Sequence, residues 1–294
     1  MEISILTGGL NNTNLALTNS TGRYVLKIRP DDYQAFGADS NASITAQDLC
    51  ARAGIAAQII CIDSDRKDFV SDFIEGTPLN PESYRQGDLQ RSFITILKTL
   101  HGLSGEIRER SFFDDIRLFM VGTNRARVSI PTGFNRLLAK AYELEKLLSK
   151  PDSPMALCYN DLVPQNLMHN QSGLKLVDFD YAGYGWIAAD LASAVSQFEM
   201  DEVETEKFLK LYDEGLDDGQ RGRVAAYCYC NNIREIAFTL FAEPALAENT
   251  HVNGEINFTT HRNKNLEQAE ISIQDPVFLN KCAAASFIRT NALF

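Results

Sequence analysis

The chain has 294 residues, 45% apolar and 23% charged, which excludes wholesale disorder and low-complexity architectures and leaves room for roughly two domains with a large core. Lys and Arg total 28 against 39 Asp and Glu, a formal charge of −11. Such an acid excess argues against nucleic acid and anionic membrane surfaces as partners and is compatible with a cationic substrate. No apolar run is long enough to span a bilayer, so no membrane insertion is expected. The start Met1-Glu2-Ile3-Ser4-Ile5-Leu6 lacks the basic and apolar regions of a signal peptide, which predicts a cytoplasmic protein. The six cysteines show no CxxC spacing and read as reduced, mostly buried thiols.

Residues 1–75 read as short strands with one helix among them. Leu15-Ala16-Leu17-Thr18 and Tyr24-Val25-Leu26-Lys27-Ile28 flank an Asn19-Ser20-Thr21-Gly22 turn and form a hairpin. Residues 41–53 suit a helix that stops at Gly54. Ala57 to Ile62 and Asp68 to Ile74 follow as strands. Glu75-Gly76-Thr77-Pro78 breaks the pattern and divides an N-terminal lobe, 1–75, from a C-terminal lobe, 76–294. In the second lobe Leu89, Phe93, Ile96, Leu97 and Leu100 share one helical face, with Asp88 as N-cap, and Leu137, Leu138, Ala141, Leu144 and Leu148 share another. Between about 156 and 180 short strands return, with a turn at Asn170-Gln171-Ser172-Gly173. From 188 onward the chain is helical.

The polar hairpin region carries Asn160-Asp161-Leu162-Val163-Pro164-Gln165-Asn166 and then Val177-Asp178-Phe179-Asp180. Asp-x4-Asn followed by an Asp-Phe-x triplet is the spacing of the kinase catalytic and metal loops. Phosphoryl transfer needs one carboxylate to orient the attacking hydroxyl and two hard oxygen ligands for Mg²⁺. Asp161 suits the first task, and Asn166 and Asp178 the second. In the N-terminal lobe, Gly8, Gly9, Asn11 and Asn12 lie in a loop whose backbone N–H groups can approach phosphates. Lys27 follows on a strand, as a phosphate-binding lysine would, and Asp72-Phe73-Ile74 lies where a connector would meet an adenine ring.

These segments, in this order, resemble the choline/ethanolamine kinase family, its bacterial branch above all, within the aminoglycoside phosphotransferase-like kinases. The likeness continues through Asp190-Leu191-Ala192, Gln197-Phe198-Glu199 and Asn232-Ile233-Arg234-Glu235. It implies an α+β, bilobal protein-kinase-like fold. A small antiparallel-sheet N-lobe with one helix would precede a larger, mainly helical C-lobe. It also implies ATP and Mg²⁺ as cosubstrate and cofactor, Asp161 as catalytic base, and Asp190 as a brace of the catalytic loop. Asp180, Tyr181, Tyr184, Gln197, Glu199, Arg234 and Phe238 fall where the family meets its acceptor. Four departures stand out. Tyr159 replaces the histidine two residues before the catalytic aspartate, where its hydroxyl can take over the bracing. The small-lobe helix lacks the glutamate that pairs with the strand cation, and only Ser43, Gln47 or Asp48 can stand in. Gln197 occupies a glutamate position, and Phe238 that of a tryptophan.

A quaternary ammonium is held by aromatic faces and carboxylates, and Tyr181, Tyr184 and Trp186 follow the metal loop. Phe198, Phe238 and Phe241 read as core, and the four histidines as surface or capping residues. The resulting expectation is a kinase that moves the ATP γ-phosphoryl group to the hydroxyl of an amino alcohol, choline first. Ethanolamine, thiamine, a sugar or an aminoglycoside are alternative acceptors, and a catalytically weak nucleotide-binding regulator is the alternative class. A monomer and a homodimer fit the sequence equally.

Overall fold

The computed structural model describes residues 2–6, 12–149, 154–246 and 257–285. Gly8, Gly9 and Asn11 of the expected phosphate loop lie outside the described residues. The fold is α+β, with an N-terminal antiparallel sheet and a mostly helical C-terminal part.

Strands β1 (Glu2–Leu6), β2 (Thr13–Asn19), β3 (Gly22–Ile28), β4 (Ile59–Ile62) and β5 (Phe69–Asp72) form one sheet in the order β1-β2-β3-β5-β4. The β2–β3 hairpin closes over Ser20-Thr21, with Asn19 opposite Gly22. The Asn19 carboxamide oxygen accepts from the Thr21 and Gly22 N–H groups at 2.7 and 3.1 Å, which fixes the turn and hence the register. That register puts Lys27 opposite Phe69 of β5. Ala16, Lys27, Phe69 and Ser71 are the buried residues of these strands, and α1 (Ser40–Arg52) turns Ser43, Ile44, Ala46, Gln47 and Cys50 inward. Asp39 caps α1 by accepting from the Ala42 N–H at 3.1 Å.

The chain then runs through β6 (Thr77–Pro78), α2 (Pro81–Tyr84) and α3 (Gly87–Gly102). The α3 face expected from its spacing is the buried one: Leu89, Phe93, Ile96, Leu97 and Leu100 are all at most 8% exposed. At about 1.5–3 kcal/mol per buried side chain, this face accounts for the helix's attachment. Its cap differs from expectation. Gln86 is the N-cap and Asp88 sits in the first turn, where its charge still opposes the helix dipole.

In chain order follow the helices α4 (Phe112–Arg125) and α5 (Phe134–Leu148), the strands β7 (Met155–Cys158), β8 (Leu167–Asn170), β9 (Gly173–Leu176) and β10 (Gly183–Trp186), and the helices α6 (Ile187–Gln197) and α7 (Glu202–Tyr212). β6, β8 and β9 form a second sheet, and β7 and β10 pair. Helices α8 (Asp218–Leu246), α9 (Phe258–Gln274) and α10 (Pro276–Ala284) complete the described chain. None of the described helices is long and apolar enough to cross a membrane.

Packing divides the chain into two compact units. The first comprises 1–110, 156–185 and 245–256, and the second 111–155, 186–244 and 257–294. This partition follows contacts, whereas a boundary at 75 and 76 follows composition. The first unit therefore holds the N-terminal sheet together with α3 and the polar hairpin.

The second unit is cored by aromatics. Phe112 and Phe113 pack against Tyr227, and Phe119 stacks on Phe241 and meets Phe238 edge-on at 5.4 Å. Gly222 of α8 touches α10 so closely that an added Cβ would collide with the Lys281 carbonyl. His261, a half-exposed residue, reaches the half-buried Glu235 at 3.1 Å.

Candidate active site

The Asn160–Asn166 loop leaves β7 at a bend. Tyr159 is fully buried, and Asn160 takes a left-handed conformation (φ 63°). Asparagine tolerates that region better than most residues. Its amide then donates to the Tyr181 carbonyl at 3.0 Å. Leu162 and Leu167, both fully buried, pin the loop at two points, the first of them directly after Asp161. Pro164 opens a single 3-10 turn over Pro164–Asn166 that brings Asn166 back to Asp161. The Asn166 Nδ2 donates to the Asp161 carbonyl and to its carboxylate Oδ2, each at 3.2 Å.

The second loop lies alongside the first. The Val177 N–H donates to the Asn166 carbonyl at 3.0 Å, so Asp178 follows directly on a residue bonded to Asn166. Asp178 has φ 63° as well, which turns its side chain out of the strand path. Tyr159 holds this bend. Its hydroxyl points between the carbonyls of Val177 and Asp178, and its ring meets Phe179 edge-on at 5.3 Å.

Lys27 meets this loop from β3. Its ammonium donates to Asp178 Oδ1 and to Asp180 Oδ1, both at 2.7 Å. Asp180 also accepts from Arg29 Nη2 at 3.0 Å, from Ser43 Oγ at 3.4 Å and, through Oδ2, from Asn12 Nδ2 at 2.6 Å. Burial alone would raise the Asp180 carboxyl. The Lys27 ammonium and the Arg29 guanidinium outweigh it, helped by the hydrogen bonds from Lys27 and Asn12, and hold it well below the usual carboxylate range. The resemblance places Asp180 at the acceptor. The structure corrects that placement, because a carboxylate 4% exposed with both oxygens engaged has nothing to offer a substrate. Of the three stand-ins for the helix glutamate, only Ser43 joins this cluster. Gln47 donates to the Ala57 carbonyl, and Asp48 pairs with Arg52.

Asp72, Phe73 and Ile74 leave β5 half-exposed, with the Phe73 N–H bonded to the Arg23 carbonyl at 3.1 Å and the Arg23 guanidinium over the Phe73 ring. Tyr181 is turned away from the loop: its hydroxyl donates to the Phe36 carbonyl at 2.9 Å and its ring lies under the Arg110 guanidinium at 4.9 Å. Tyr184 is 42% exposed on β10.

The remaining candidates belong to the second unit. Asp190 is fully buried in the first turn of α6, where Trp186 and not Asp190 is the N-cap. Gln197 ends that helix half-buried, and Glu199 is exposed and paired with Lys264. Arg234 is buried over the Phe112 ring and bonded to Glu235, and Phe238 packs on Phe119. The sequence reading overlooked Arg29. Its signal was present, because residues 27 and 29 share one face of a strand read through Arg29.

A strand lysine paired with the aspartates of one loop, beside an Asp-x4-Asn loop on a hairpin, is the layout of the protein-kinase-like small-molecule kinases. The sequence profile of choline/ethanolamine kinase matches residues 3–237, and the chain belongs to that family. Rat ethanolamine kinase 2 is 24% identical over 135 residues, 43% of this chain but only 35% of its own length. Protein LicA of Haemophilus influenzae is 24% identical over 220 residues, covering 70% of this chain and 61% of LicA. Among solved structures, a choline/ethanolamine kinase family protein from Mesorhizobium loti superposes with a TM-score of 0.76 at 20% identity, covering 97% of this chain and 92% of that one.

Proposed function

We propose that the chain is an ATP-dependent kinase that transfers the γ-phosphoryl group to the hydroxyl of a small amino alcohol, choline or ethanolamine. The observation that carries this reading is the joint placement of Lys27, Asp178, Asn166 and Asp161 by two hydrogen-bonded loops. Asp161 takes the acceptor's proton as the oxygen attacks phosphorus, and Asn166 fixes that carboxylate's angle. Lys27 has three N–H donors, and two serve Asp178 and Asp180, which leaves one direction for a phosphate oxygen. The donor set also fits Mg²⁺: a carboxylate on Asp178, 35% exposed, and the amide oxygen of Asn166 are hard ligands of the kind that ion takes. Bound there, the ion would screen phosphate charge.

One observation favours ethanolamine over choline. The Tyr181 ring already carries the Arg110 guanidinium, so that face cannot also hold a trimethylammonium group.

Purified wild type and Asp161→Asn would be compared for ADP release from ATP and Mg²⁺ with each alcohol. The expected result is acceptor-dependent turnover, lost by about 10²–10⁴-fold in the variant, the usual size of a general-base contribution. Full turnover by Asp161→Asn would remove the mechanism. A choline specificity constant far above that for ethanolamine would remove the second reading.

A further inference from the structure

Lys27 on β3 and Arg29, just past the strand's end, are both buried, Lys27 at 5% and Arg29 at 1% exposure. A buried guanidinium is costly unless its charge is met, and here one carboxylate meets it, Asp180. The rest of the residue is clamped. Its backbone N–H donates to Asp68 at 2.9 Å, Nη1 donates to the Lys67 carbonyl, and Nη2 donates to Ser43 Oγ at 2.7 Å. Nε finds no partner among the described residues, so this arrangement is not the one that best satisfies the group. It is one that aims Nη2 at the oxygen Lys27 also uses.

The inward face of α1 has no carboxylate: its buried residues are Ser40, Ala42, Ser43, Ile44, Ala46, Gln47 and Cys50. The anion that orients Lys27 therefore comes from the loop of Asp178 itself, two residues further on. If Asp178 turns toward a metal ion, Asp180 remains the anchor of Lys27, and Arg29 is the charge that keeps Asp180 in place.

We propose that Arg29, held by Ser43, is a positioning residue that sets Lys27 for the nucleotide phosphates through Asp180. This inference rests on the reading of Lys27 given above. The full chain would be prepared as wild type, Arg29→Met, Arg29→Lys, Ser43→Ala and Asp180→Asn, and each assayed for kcat, KM for Mg-ATP, KM for the acceptor, Mg-ATP binding by calorimetry, and Tm. Arg29→Met should raise the KM and Kd for Mg-ATP about tenfold and leave the acceptor KM within about twofold. Arg29→Lys should recover most of that loss. Arg29→Met/Asp180→Asn should be no worse than Asp180→Asn alone, because both act through one contact. Should Arg29→Met fail to fold, the smaller Ser43→Ala change and the isosteric Asp180→Asn decide by the same measurements. A lowered Tm with unchanged Mg-ATP constants would overturn the proposal and leave the kinase reading intact. No Mg-ATP binding by wild type would overturn both.

Discussion

At the scale of single residues, Tyr159 holds the bend of the Asp178 loop by its hydroxyl. Its ring is buried and its hydroxyl lies between two carbonyls of the Asp178 bend. Removing the hydroxyl leaves buried acceptors unmet, a cost of about 1–3 kcal/mol. Tyr159→Phe is therefore expected to lower unfolding free energy by about that amount in urea melts. It should also reduce kcat more than the acceptor KM, because the group that moves is Asp178 and not a substrate contact. Equal kcat with a full loss of stability would show the bend to be held by the β9 end alone.

At the scale of elements, Gly76 ties the Asp72–Glu75 connector to the second sheet. A Cβ there would lie 2.7 Å from the His169 carbonyl, a backbone atom that cannot step aside cheaply. The Glu75 carbonyl accepts from Asn170 Nδ2 at 2.6 Å, so the strands on both sides are already fixed. Gly76→Ala should destabilise the chain by about 1–3 kcal/mol and raise the KM for ATP, read from melts and initial rates. The elements that the sequence disclosed are those whose period is internal. The β2–β3 hairpin alternates and turns at Asn19, and α3 repeats at 3 and 4. β10 escaped notice because Gly183-Tyr184-Gly185-Trp186 has glycine at alternate positions and shows no apolar face. Asp161, Asn166, Asp178 and Lys27 were legible because local spacing carries them. The partners of Asp180 were not, since they lie 137 to 168 residues away in the chain, and only the folded register joins them. Arg29 was half-legible: its face could be read, but a lone cation at a strand's end looks solvated until the carboxylate opposite it is known.

At the scale of the whole molecule, each compact unit holds a shielded carboxylate below its ordinary range. In the first unit it is Asp180. In the second it is Glu235, where burial pushes the carboxyl up but the His261 hydrogen bond and the Arg234 guanidinium pull it further down. A carboxylate depressed in the folded state adds stability that is present above its unfolded pKa and is lost as pH falls through the folded one. The unfolded references are 3.8 and 4.5. Both contributions are thus complete near neutrality and begin to fade only below about pH 4–5. Unfolding free energy should lose this share progressively in acid, and Asp180→Asn should flatten part of that acid limb while lowering stability at pH 7. Because the two carboxylates sit in different units, denaturation followed by a probe in each should show which limb belongs to which. Asp180→Asn should alter the limb of the first unit alone. A change confined to the second unit, or no change in slope, would mean that Lys27 and Arg29 do not hold Asp180 ionised in the folded protein.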